Sequence, residues 1–298
     1  MLWVPITLAA AAAQVLRNGA QASLTARIGT LGATQVRFVY GLPFALLILL
    51  AAVLFSGETL PPIRAEALRW AVLGATAQIG ATALMLMVMQ RRAFGIAYAY
   101  IKTEPAIVAV LGVLLLGDRL PALGWLAVLV VTGGVLVASV KPGEFARLLG
   151  ERGMIVAGMA SGGLFGLSAI GFRGAINALG EGSFVVRALT MLVVALAIQV
   201  GMLGLWLALR DRDAFAGSLR EWRRSLAAGF LGATASAGWF MAFALTAAAN
   251  VRTLSLVEMP LAALFAGWLT GKRTKGHELA GMMIVMAGVG LLLWSVAA

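Results

Sequence analysis

The chain reads as an all-α integral membrane protein with ten transmembrane helices, arranged as two inverted five-helix repeats. Three observations lead there. Hydrophobic residues make up 61% of the chain and charged residues 12%, against about 45–50% and about 25% in soluble domains. The apolar residues gather into ten runs, most of them close to the ~20 residues that a helical span needs. Positions in the first half recur in the second at a nearly constant offset, the mark of an internal repeat. The short alternating segments of a membrane β-barrel are not seen.

In order, the runs fall near 2–24, 33–55, 67–89, 95–116, 122–140, 154–176, 183–208, 226–248, 251–271 and 279–297. The first lacks the basic start and unbroken apolar centre of a signal peptide, so it is expected to be retained. Its Gln14, Arg17, Asn18 and Gln21 are spaced i, i+3, i+4 and i+7 and share one helix face. Such a face either bonds to neighbouring helices or lines a wet cavity. Four polar groups including an arginine favour the cavity, which would also take Gln78 from the third run. In the second half the matching positions are Leu164, Ser168 and Gly171, so polar recognition is expected to lean on the first half.

The fourth run, Tyr98 to Asp118, carries Lys102, Glu104 and Pro105 near one end. A charge in hydrocarbon costs at least about 2.5–3.5 kcal/mol and calls for a partner. Proline has no N–H, so Pro105 leaves the Ile101 carbonyl without its helical donor. The ninth run repeats the pattern with Glu258 and Pro260. Two proline-interrupted spans in corresponding places point to a substrate site at a repeat interface. Lys102 and Glu104, two residues apart, face about 200° away from each other on a regular helix. Tyr98 shares a face with Lys102, and Tyr100 with Glu104. The expectation is that the Tyr98–Lys102 face is solvated, with Lys102 open to a substrate carboxylate. Glu104 is then a buried structural partner of Lys102, Arg37 or Arg187, although Glu104 and Glu258 are also the acids placed for proton coupling.

The repeat is visible residue by residue. Leu73-Gly-Ala-Thr-Ala77 recurs as Leu231-Gly-Ala-Thr-Ala235, and Gly80 matches Gly238. Arg37 matches Arg187; Pro105, Gly112 and Gly133 match Pro260, Gly267 and Gly288. The halves are therefore 1–140 and 154–298, joined by a polar cytoplasmic linker at 141–153. Five spans per half, an odd number, invert the second half relative to the first. Of the 23 lysines and arginines, Arg17, Arg37, Lys102 and Arg187 lie in spans. Arg64, Arg69, Arg119, Arg173 and Arg252 are assigned to loops on one side, and the rest to loops on the other. The positive-inside rule puts the larger group in the cytoplasm and both termini outside.

Other residue types narrow the chemistry. The net charge of +11 fits basic loops on anionic lipid rather than nucleic acid. No cysteine is present, and His277, the one histidine, lies in a charged loop. Thiolate chemistry is excluded, and an intramembrane enzyme or a metal or other cofactor is not expected. Tryptophans gather at run ends as an interfacial belt, except Trp239. That residue lies mid-run with Phe243 one turn on, which fits either core packing or an aromatic-lined site. Gly158, Gly162 and Gly166 repeat every four residues, as do small residues around Gly229 and Gly232, and both seams suit close helix packing.

Two five-helix halves, with Pro105 and Pro260 segments followed by Gly112-Val-Leu-Leu-Leu-Gly117-Asp and Gly133-Gly134, resemble the EamA-type drug/metabolite transporters. Gly271-Lys-Arg-Thr replaces the Gly-Glu usual in the second half of that family. The resemblance spans the chain and is nearest to bacterial aromatic amino acid exporters. It implies a central cavity lined by helices 1, 3, 4, 6, 8 and 9, and alternating access. The expectation is a monomeric inner-membrane exporter of small metabolites, amino acids foremost, with multidrug efflux as the alternative.

Overall fold

A computed structural model describes the backbone of residues 1–91, 104–140, 152–261, 263 and 275–297, and most side chains among them. Side chains at 18–23, 25, 26, 86, 89–91, 152 and 154 fall outside that description. The described residues are helical, with no strand. In chain order the helices are α1 (Trp3–Ser56), α2 (Ala65–Arg91), α3 (Glu104–Leu116), α4 (Ala122–Ser139) and α5 (Arg152–Leu179). They continue as α6 (Phe184–Arg210), α7 (Arg212–Arg220), α8 (Trp222–Leu245), α9 (Ala248–Ser255) and α10 (Gly276–Ala297).

Six stretches among the described residues are long and apolar enough to cross a membrane. They are Arg27–Ser56, Ala122–Ser139, Ile155–Leu179, Phe184–Arg210, Trp222–Leu245 and Gly276–Ala297. Trp3–Arg17 and Glu104–Leu116 are shorter apolar helices. Large apolar side chains stand outward on these helices, among them Phe55, Leu114, Leu129 and Trp294. Apolar surface on that scale belongs against lipid. This is a helical membrane protein.

The structure departs from the sequence expectations at three helix boundaries. The expected gap between the first two runs is instead helix, broken only at Gly29 (φ 70°, ψ 176°). Only glycine occupies that backbone region readily, so one residue does the work of a loop. The bend is held by a small core of Leu24, Ala33 and Val36 with Ala228, flanked by Ile28 and Tyr40. The charged stretch after α6 holds an unexpected short helix, α7, whose N-terminus is capped by Asp211 accepting from the Ala214 N–H at 3.0 Å. The Tyr40 hydroxyl lies 3.2 and 3.1 Å from the Ser218 and Leu219 carbonyl oxygens and ties that end to α1. Finally, Arg173 and Arg252, assigned above to loops, lie within α5 and α9.

The chain forms two compact units that ignore chain order. One comprises Met1–Ile79 and Gly171–Thr246, the other Gly80–Ile170 and Ala247–Ala298. Each therefore draws helices from both sequence halves. Inside the first, α1 packs along α8 so tightly that a Cβ on Gly229 would lie 2.6 Å from Tyr40 Cβ, and one on Gly238 2.7 Å from Ala10 Cβ. Inside the second, α4 and α10 meet at Gly134, Gly281 and Gly288. A Cβ on Gly134 would sit 2.8 Å from the Val285 nitrogen, and one on Gly288 2.5 Å from a Val131 methyl. Such contacts require glycine, because real carbon atoms do not approach that closely.

Candidate functional site

In the first unit the polar face of α1 meets the aromatic turn of α8. Trp239 is 5% exposed and Phe243 1%. A buried indole needs an acceptor, and the Trp239 Nε1–H donates to Gln14 Oε1 at 3.1 Å. One turn along α1, Arg17 is also buried. Its stem passes Gly232, where a Cβ would lie 3.4 Å from Arg17 Cδ and 3.8 Å from Arg37 Cγ. Both arginine stems thus pass the same point on α8. Gln14, Arg17, Arg37 and Trp239 belong to one neighbourhood. The side chains of Asn18 and Gln21, next on the same stripe, lie outside the described residues.

Gln78 is engaged within the same unit by a residue the sequence reading missed. Gln199, buried in the middle of α6, donates its Nε2–H to Gln78 Oε1 at 2.5 Å. An amide inside an apolar run was the available signal. Arg187 is half-buried in the first turns of α6, and a Cβ on Gly182 would lie 3.9 Å from its Cγ. Arg173 was likewise unforeseen. Its guanidinium donates to the Phe243 carbonyl at 3.0 Å and to the Thr246 carbonyl. Those are orphan acceptors at the C-terminus of α8, where a cation also complements the helix dipole.

In the second unit, α3, which carries Pro105 in its first turn, meets α9, the short helix that precedes the Pro260 segment. Pro105 is the second residue of α3, and Pro260 the third residue of the helical stretch 258–261. Each therefore stands in the first turn of a described helical segment, where a missing N–H costs nothing. Before Pro260 the chain is interrupted at Leu256 and Val257. Their N–H groups bond three residues back, to Thr253 at 3.3 Å and Leu254 at 3.1 Å. The short helix α9 ends at that break and packs on α3.

There Glu104 Oε1 lies 3.0 Å from Arg252 Nε, with side chains 7% and 13% exposed. Glu104 is buried, and among the described residues its ion-pair partner is Arg252, which the sequence reading had not named for it. Both charges complement helix dipoles: Glu104 stands in the first turn of α3 and Arg252 in the last of α9. The pair is close without being well bonded, because Glu104 Oε1 makes no hydrogen bond. Beside Arg252 in sequence, Thr253 is fully buried and its Oγ1 also has no hydrogen bond. An unsatisfied buried polar atom costs about 1–3 kcal/mol. Glu258, 5% exposed, follows the break. Tyr98, Tyr100 and Lys102 lie outside the described residues. Among the described residues, no group of His, Cys, Asp and Glu is arranged to hold a metal.

The motif after α3 also acquires a physical reason. Gly117 adopts φ 67°, which returns the chain so that the Asp118 N–H donates to the Gly112 carbonyl at 3.0 Å. The positive φ favours glycine at 117, and a Cβ on Gly112 would lie 2.9 Å from Asp118 Oδ2, so the carboxylate packs directly over that glycine.

Comparison with known proteins bears on the fold. No family profile and no curated protein matches the chain. A solved structure described only as "Crystal structure of protein" superposes with a TM-score of 0.71 over 99% of this chain and 98% of its own. At 15% identity, that likeness establishes a shared backbone architecture.

Proposed function

We propose that this protein is a secondary transporter that exports small metabolites, foremost amino acids and among them aromatic ones, across a bacterial inner membrane by alternating access. In this reading the chain spans the membrane ten times as two inverted five-helix repeats, with both termini in the periplasm. It works as a monomer, without a cofactor and without catalysing a reaction. The observation that carries it is the buried Glu104–Arg252 pair. It stands where a proline-led segment of the first sequence half meets an interrupted segment of the second, the arrangement transporters use to place polar groups at membrane depth. The Gln14, Arg17 and Trp239 neighbourhood supports an amphipathic, aromatic cargo. EamA-type resemblance in the Pro105–Gly134 region agrees with it.

Counterflow in proteoliposomes tests the proposal. Vesicles loaded with unlabelled phenylalanine should accumulate labelled phenylalanine transiently. A pore would equilibrate the label without overshoot, and a scaffold would leave it outside. Overshoot with hydrophobic cations but not with amino acids would make the protein a multidrug exporter instead.

A further inference from the structure

We propose that the junction of α7 and α8 is a docking surface for an anionic phospholipid. The lipid phosphate lies against Arg220 and Arg223, and one acyl chain runs along the Trp222, Leu226 and Phe230 face of α8. The surface belongs wholly to the first unit. It requires a membrane-spanning chain but not the exporter reading.

Residues 210–224 hold five arginines against Asp211, Asp213 and Glu221. Those acids are already engaged. Asp211 caps α7, and Asp213 stands in its first turn, where the helix dipole favours an acid. Glu221 is shared between Arg27 at 3.9 Å and Arg224 at 3.4 Å. Arg220 and Arg223 have no ion pair among the described residues. The Glu221 N–H bonds to the Gly217 carbonyl and the Ser225 N–H to the Glu221 carbonyl, so the helical pattern carries across the junction. Arg220 and Arg223, three apart, therefore share one side.

An apolar strip starts beside them. Trp222, Leu226 and Phe230 repeat every four residues along α8 and are 48%, 40% and 49% exposed. Phe230 meets Phe44 of α1 edge to face at 5.4 Å, which widens the strip. At its other end the Arg223 guanidinium carbon lies 5.2 Å from the centroid of the Trp222 ring. Because α8 is long and apolar enough to cross a membrane, the strip faces acyl chains and its arginine-rich start lies at a membrane surface, where tryptophan belongs. A soluble anion matches only the arginines, and a zwitterionic lipid brings its own cation to them. An anionic phospholipid matches both parts. The junction is held in place beforehand, by the Tyr40 hydroxyl on the Ser218 and Leu219 carbonyls and by Ile28, whose Cγ2 would lie 3.0 Å from a Cβ on Gly217. Binding therefore orders little of the protein.

Tryptophan quenching tests the surface. The full chain is reconstituted in phosphatidylcholine vesicles that hold a minor fraction of lipid brominated on its acyl chains, either phosphatidylglycerol or phosphatidylcholine. The Trp222 signal is the difference between the unaltered protein and Trp222→Phe. Brominated phosphatidylglycerol should quench that signal with an apparent affinity at least about tenfold above that of brominated phosphatidylcholine, since an arginine near anionic lipid is worth roughly fivefold. Arg220→Gln/Arg223→Gln should erase the preference. Arg64→Gln/Arg69→Gln, which removes two exposed arginines near the start of α2, should keep it. Equal quenching by the two lipids, or a preference that survives Arg220→Gln/Arg223→Gln, would overturn the site. Loss of the preference in both double variants would reduce it to net charge and overturn the site as well. Should Arg220→Gln/Arg223→Gln fail to fold, salt decides on the unaltered protein: about 1 M sodium chloride should abolish the preference, and its persistence would refute the assignment. Inorganic phosphate at matched ionic strength should leave the preference intact, and displacement by it would make this a site for free phosphate instead. None of these readouts depends on counterflow, so the docking surface and the exporter reading fail separately.

Discussion

Trp239 on α8 donates its indole N–H to Gln14 on α1 across 3.1 Å, joining residues 225 positions apart in sequence. The bond converts a polar stripe and an aromatic turn, each ambiguous alone, into one site. Replacing Trp239 by Phe, or Gln14 by Leu, should cost about 0.5–1.5 kcal/mol in SDS-induced unfolding, the net worth of such a bond. The two losses should not add in a double-mutant cycle. Full additivity would mean that the contact contributes nothing.

The ion pair should behave as a unit. Arg252→Met leaves Glu104 buried and uncompensated and is expected to cost about 3–5 kcal/mol. Combining Glu104→Gln with Arg252→Met should recover part of that loss, because no lone charge remains. Unfolding curves of the three variants check it, and a double variant less stable than the single one would contradict the argument.

Gly29→Ala isolates a backbone effect. Nothing lies within 4 Å of a Cβ at this position, so no side-chain clash arises. The φ of 70° with ψ of 176° is strained for any other residue, and the loss should be about 1–3 kcal/mol. A neutral substitution in the unfolding assay would show that the bend relaxes.

Adjacent glycines in α4 should respond oppositely. A Cβ on Gly134 would lie 2.8 Å from the Val285 backbone and 2.9 Å from the Gly281 carbonyl, whereas one on Gly133 meets nothing within 4 Å. Gly134→Ala is expected to cost about 1–3 kcal/mol through overpacking, and Gly133→Ala less than about 0.5 kcal/mol. Parallel unfolding of both variants reads the difference.

The proposed topology is open to a direct check. In that proposal the excess of basic loop residues on one side is cytoplasmic, and the C-terminus is expected outside. Alkaline phosphatase fused after Ala298 should be active and a fluorescent protein fused there dark. The reverse pattern would turn the proposed orientation over.

The sequence by itself determined that this is a helical membrane protein and roughly where most of its helices run. Partition into lipid depends on local composition, and a run such as 183–208 carries that information within itself. The two prolines and the two buried glutamates were legible for the same reason, since each is anomalous in its own segment. Partners were not legible. Arg252 read as a loop cation because it stands at the edge of an apolar run, and only the packing of α9 on α3 sets it against Glu104. Gln199 looked like one amide in an apolar helix until α2 brought Gln78 within 2.5 Å. Gly29 hid in a stretch whose hydropathy resembles a loop, because composition reports lipid exposure and not backbone dihedrals. The same limit applied to Gly133 and Gly134: their neighbours in sequence are alike, and only the approach of α10 makes one of them indispensable. Hydropathy acts over one segment at a time, whereas an ion pair, a shared hydrogen bond or a glycine contact exists only once a second helix arrives.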